Sequence, residues 1–278
     1  MTHPSAQIPV NLRSRIFLVN VGANASHPVR SPIFDDGTFE LLPIPEERDR
    51  WAPTIPAYAR IPCWNDPSES LGLYVSDRHR GTLVHNDPEF RTFTYGDNPN
   101  RSPRAGGLRG CRPGDYLFFL ARLTPHDGSR FHGAPGFSLV GFFQVDDVLR
   151  DVTTYPHGES FATFGANAHI RRATYHRDAL DAFWVWHGDP GRSLRLPLAV
   201  PVTREICDLS LRDAKGGPWN WGPGRSELQW IGSYTRAARL VIDGRDSDSD
   251  DCSRALAWWN HVASIVPGVV VEDNTRQN

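Results

Sequence analysis

The stretch Pro113-Gly114-Asp115-Tyr116-Leu117-Phe118-Phe119-Leu120, followed after a polar loop by Phe137-Ser138-Leu139-Val140-Gly141-Phe142-Phe143-Gln144-Val145, decides the fold. Its opening is turn chemistry. Proline fixes one φ, glycine admits unusual φ, and an Asp side chain can bond nearby backbone. The two apolar runs are rich in aromatic and branched residues and too short for ordinary helices. The reading is turn, strand, loop, strand: a buried hairpin at the centre of a β-rich domain.

Outward from this hairpin, Arg15–Val21 reads as another buried strand, ending in the small polar turn Gly22–His27. Small residues let a backbone approach a ligand or another chain closely. Ser31–Leu41 reads as a strand pair around the Asp36-Gly37 turn, and Pro43–Glu46 as extended chain, because each proline biases its predecessor away from helix. Leu71–Val75 suggests a short strand, Arg101–Arg112 a surface loop, and Leu194–Val200 extended chain. Asp178–Trp186 is ambiguous, its first half suiting a helix and its second a strand. The best helix covers about 250–265, with acidic residues at its start and Leu256, Trp259 and Val262 on one face. Residues 243–251 read as a solvated linker. Residues 1–14 read as a flexible arm and 15–278 as a single domain.

Composition narrows the function classes. The chain has 278 residues, 39% hydrophobic and 22% charged, which is globular rather than disordered. Lys+Arg number 30 against Asp+Glu 32, so bulk charge does not attract nucleic acid and a local basic face would be needed. Lys215 is the single lysine. Almost every cation is therefore Arg, whose planar fork suits phosphates and bases, although GC-rich codon usage gives the same bias. Cys63, Cys111, Cys207 and Cys252 form no Cys-x-x-Cys pair, which disfavours a zinc knuckle or a disulfide framework. No signal peptide and no bilayer-length apolar run is seen, so a cytoplasmic protein without a membrane partner is expected. Phosphate-cradling and dinucleotide glycine motifs are missing, as is a Gly-x-Ser-x-Gly elbow.

Several polar residues are candidates for chemistry. His85 and Asp87, two apart, can form a general acid–base couple or part of a metal site, or belong to a plain Asx-turn. Asn24, Ser26 and His27 follow a buried strand, a common place for ligand contacts. Asp36 and Tyr95 join the candidate binding set, as do His157 and Asn167. His169 is placed with His85 and Asp87 as catalytic. His157, Asn167, His169 and His176 lack the tight helical His pair of many zinc sites, and no metal ligand is assigned. Trp184 and Trp186, and likewise Trp219 and Trp221, are two apart, so each pair shares a face if extended. The first pair suits the core. The second, in a Gly-Pro loop, suits an exposed stacking or lid role of the kind that holds a flipped base.

Two resemblances follow from these residues. The hairpin is similar to the central hairpin of PUA-like barrels, EVE and ASCH domains among them, many of which bind a nucleobase. The opening resembles that of the third nucleotide-modification-associated domain family, whose members are described as DNA base hypermodification proteins. The similar elements are Arg15–Val21, the Asn24-Ala25-Ser26 turn, Ser31-Pro32-Ile33 with Asp36-Gly37-Thr38, and Pro43-Ile44-Pro45. His85-Asn86-Asp87-Pro88, the hairpin itself, Pro156-His157 and Asn167-Ala168-His169 extend the likeness over about 15–200. The turn carries Asn24 where the family often has Asp, which removes a carboxylate there.

Together these imply an α+β, mainly β fold: a PUA-like (EVE- or ASCH-like) pseudo-barrel with long loops and a C-terminal helix. The implied function is binding of a nucleobase or nucleotide, modified in particular, in an aromatic-lined pocket within a base hypermodification system. Two alternatives stay open: an enzyme using the His/Asp residues for acid–base chemistry, and a non-catalytic partner-binding protein. The expected partners are DNA or nucleotides and other proteins of the modification system; no cofactor is identified.

Overall fold

The computed structural model describes residues 7–23, 26–47, 50–212, 238–245 and 250–271. The strands in chain order are β1 (Ile8–Val10), β2 (Arg15–Val21), β3 (Ser31–Ile33), β4 (Ile44–Pro45), β5 (Val84–His85), β6 (Thr94–Asp97), β7 (Tyr116–Pro125), β8 (Gly136–Val152), β9 (Phe183–Gly188), β10 (Leu194–Pro201), β11 (Arg239–Asp243) and β12 (Val269–Val271). The α-helices are α1 (Gly158–Phe164), α2 (Ala168–Ala173), α3 (Arg204–Ser210) and α4 (Asp251–Ile265).

The β7–β8 hairpin is the centre of an eight-stranded sheet ordered β11-β2-β7-β8-β9-β6. β2 runs parallel to β7, and β3 continues alongside the far end of β7. β8 is 17 residues long and pairs first with β7 and β10, then with β9. β9 and β10 therefore share one flank of β8, and β6 closes the far side of β9.

Alternation along the strands builds two cores, as period-2 geometry requires. Ile16, Leu18, Tyr116, Phe118 and Leu120 face α4, where they meet Ala255, Trp258, Trp259 and Val262. Phe17, Val19, Leu117 and Phe119 face the other way and pack with Phe90, Tyr95, Trp184 and Trp186. Each such fully buried side chain contributes about 1.5–3 kcal/mol from removal of apolar surface from water. A third cluster of Ile170, Phe183 and Val185 seats α2 on β9.

Several expectations are corrected. The chain is mixed, mainly strands with few helices, but the sheet path runs from β11 to β6 with no pairing between those edges. Among the described residues it stays open rather than closing into a pseudo-barrel. The flexible arm does not extend to residue 14. β1 pairs in parallel with β12, and Val10 and Leu12 are buried in the α4-side core. Leu71–Tyr74 is a 3-10 turn, not a strand. Residues 178–186 resolve into a 3-10 turn at Arg177–Ala179 followed by β9. On α4, Leu256 points outward, and the buried face is carried by Ala255, Trp258, Trp259 and Val262. No described helix is long and apolar enough to cross a membrane.

Candidate functional site

At the β6 end of the sheet, three segments far apart in sequence meet. The short ribbon of β4 and β5 carries Glu46 just past one strand and His85 at the end of the other, with Asp87 two residues on. β6 supplies Tyr95, Gly96 and Asp97. α2 supplies His169 and Arg172, three residues apart and so on one face, while its Ile170 and Ala173 are buried.

Asn167 fixes the geometry. It caps α2, its side-chain oxygen accepting from the backbone N–H of His169 at 3.0 Å, and its amide donates to Asp87 Oδ1 at 3.3 Å. Asp87 Oδ2 accepts the Gly96 N–H at 2.9 Å. His85 Nε2 and His169 Nε2 each lie 3.7 Å from that same Asp87 Oδ2. The two imidazoles meet edge to face at 4.7 Å. Gly96 is needed here: a Cβ would come within 2.5 Å of the His169 ring and 2.7 Å of the Asn167 oxygen.

Behind His85, Arg172 holds Glu46 with hydrogen bonds of 2.7 and 3.3 Å and donates to His85 Nδ1 at 3.0 Å. A guanidinium has only donors, so this contact needs an accepting Nδ1, whereas the approach of Glu46 Oε2 to the same nitrogen at 3.5 Å favours a proton there; the two contacts compete for Nδ1. Tyr95 donates from its hydroxyl to Asp97 at 2.9 Å.

His85, Asp87, Tyr95, Gly96, Asp97 and His169 line a cavity of about 330 Å³ with Asn20, Gly22, His27, Ile44 and Arg104. Its electrostatics follow from burial. Burial pushes Asp87 well above the usual carboxylate range, helped by the charges of Asp97 and Glu89 and opposed by the bonds from Gly96 and Asn167. Burial likewise raises Asp97, against the Asn98 backbone and Tyr95 bonds. Burial, with the nearby His85 and Arg172, holds His169 well below the ordinary histidine value. Burial would also raise Glu46, but His85 and Arg172 outweigh it and hold Glu46 at about 2. The site thus keeps an ion pair at its back and, in front, an imidazole and a carboxyl group whose charged forms burial disfavours.

Of the residues singled out in the sequence, His85, Asp87, His169, Asn167 and Tyr95 gather here. Ser26 lies exposed on the turn that leads to His27. Asp36 does not join them: its carboxylate accepts from the backbone and hydroxyl of Thr38 within its own turn. His157 lines a different cavity with Tyr155, Thr174 and Arg177. Asn24, Trp219 and Trp221 lie outside the described residues. Trp184 and Trp186 are buried in the core, with Trp184 Nε1 donating to Asp151. The sequence reading missed Glu46, Gly96, Asp97 and Arg172. The adjacent Gly96-Asp97 pair at a strand end was a signal for close backbone approach.

The family described as nucleotide modification associated domain 3 matches residues 15–206, more than half of the chain. The chain belongs to that family. The matched span contains every residue of the site just described. Neither a curated protein nor a solved structure matches the chain.

Proposed function

We propose that the chain is an enzyme of a base modification system, which binds a nucleobase or nucleotide in the cavity and acts on it at the His85–Asp87–His169 group. One observation carries this reading: three polar side chains up to 84 positions apart converge at a partly buried point lining the cleft. A passive aromatic slot would not need them. The volume of about 330 Å³ lies at the small end of ligand sites and suits a single base or mononucleotide. Tyr95 and Ile44 would pack against the base, Asn20 and Asp97 would bond its edge, and Arg104 at the rim would meet a phosphate. A polar group of this cluster, or a water that it holds, would give or take the proton that moves during the step. A distant PUA-like kinship belongs to the same reading and is supported by the β7–β8 hairpin alone. In this reading the protein works in the cytoplasm on DNA or nucleotides alongside other proteins of the system.

The test is calorimetry with mononucleotides bearing plain and hydroxymethylated bases, followed by mass analysis of the bound species. Binding and a mass change that His85→Ala abolishes are expected. Tight binding with no change in mass would make the protein a reader instead. No binding of any nucleotide would overturn both.

A further inference from the structure

We infer that His85, Asp87 and His169 bind a divalent first-row transition metal ion. This deepens the reading of the same site and rests on it for location only. The three ligand atoms, two imidazole nitrogens and one carboxylate oxygen, all lie within 4.8 Å of one another. An ion with metal–ligand bonds of about 2.0–2.1 Å fits such a triangle after a small inward shift of the side chains. Two imidazoles and a carboxylate on one side, with the cleft on the other, is the donor set that leaves positions open for small ligands.

Charge supports the assignment. The Asp87 side chain is 2% exposed, and Asp97 lines the same cleft. Their hydrogen-bond donors are neutral: the backbone of Gly96 and Asn98, the Asn167 amide and the Tyr95 hydroxyl. Among the described residues no Arg lies within ion-pair distance of either, because Arg172 is committed to Glu46. A buried carboxylate is stable when paired with a cation or coordinated to a metal.

The layer behind the ligands is also arranged for coordination. Metal at His85 Nε2 fixes the imidazole proton on Nδ1, and Glu46 Oε2 already lies 3.5 Å from Nδ1. Arg172 then keeps only its bonds to Glu46, giving the carboxylate–histidine–metal chain that orients ligands in such sites. The Gly96 N–H occupies one lone pair of Asp87 Oδ2 and leaves another for the ion.

The experiment is titration of the chelator-stripped full chain with cobalt(II), without nucleotide, followed by visible absorption and by the shift in thermal midpoint. One saturable cobalt(II) per chain is expected, with bands of a four- or five-coordinate ion and a raised midpoint. Asp87→Ala and His169→Ala should weaken binding about 100-fold or more, and Glu46→Gln about 10–100-fold. His157→Ala and His176→Ala should bind as the wild type does. Absence of a saturable site in the wild type at about 0.1 mM cobalt(II) overturns the inference, even if no variant folds. Undiminished binding by folded Asp87→Ala and His169→Ala also overturns it. Nucleotide affinity measured in chelator separates the two readings: nucleotide binding without a cobalt site sinks only the metal, and the reverse sinks only the nucleotide.

Discussion

Two buried polar networks sit on opposite sides of this sheet's logic. At the start of β2, Arg15 bonds Asp115 through Nε at 2.9 Å and Nη2 at 2.5 Å, and Nη2 also reaches the Gly110 carbonyl. Asp115 accepts the Arg112 N–H as well. That network is closed: opposite charges meet directly, with bidentate geometry, and it lines no described cavity. The network around Asp87 is open: its carboxyl group is met by neutral donors, and both histidine Nε2 atoms approach it from 3.7 Å. Burial of charge is common to both and so does not mark function. What separates them is the unfilled capacity for further partners that the Asp87 network presents at a cleft.

The contrast breaks first at its closed side. Asp115→Ala should cost about 3–5 kcal/mol, because it strands a buried guanidinium. Urea unfolding would show this, and a loss under 1 kcal/mol would show that the pair is dispensable, on the scale expected of an exposed ion pair. Gly96→Ala comes next. Its methyl group would drive His169 or Asn167 out of place, with a stability cost of about 1–3 kcal/mol and loss of cobalt(II) binding. A crystal structure of that variant with His169 unmoved would contradict the close-packing argument. Arg172→Met should cost about 1–3 kcal/mol by the same urea measurement, less than Asp115→Ala, because the buried Glu46 carboxylate keeps the Glu47 N–H and the nearby His85 as partners. Arg104→Ala should leave stability within about 0.5 kcal/mol, yet weaken nucleotide binding about tenfold by calorimetry. Equal affinity in that variant would remove the phosphate role from Arg104.

The sheet was legible where local chemistry sufficed. Pro113-Gly114-Asp115 and the two apolar runs carry their own turn and period, and β2, β7 and β8 lie where those signals place them. The openness of the sheet was not legible, because it depends on which strands become edges, β11 and β6, and no local pattern encodes that. At the site, His85 with Asp87 was readable from spacing, and Asn167 with His169 from a shared short stretch. Glu46 and Arg172 were not. Glu46 reads as one more charge in a proline-rich run, and Arg172 as one more arginine among many. Their partnership spans 126 positions and exists only once α2 packs on β9 through Ile170 and Val185. Asp36 misled for the opposite reason: an Asp-Gly turn satisfies its own carboxylate locally, as Thr38 does here.

The length of β8 has a mechanical consequence. One strand, irregular in register at Val145–Asp147 and Leu149–Val152, runs from the aromatic core to β9, against which both β6 and α2 pack. The platform beneath the cleft therefore cannot swing away as a separate lobe without tearing the ladder that holds the core. The cleft borders the thin β4–β5 ribbon through Ile44 and His85, so any adjustment to a bound molecule would fall to that rim more readily than to the base.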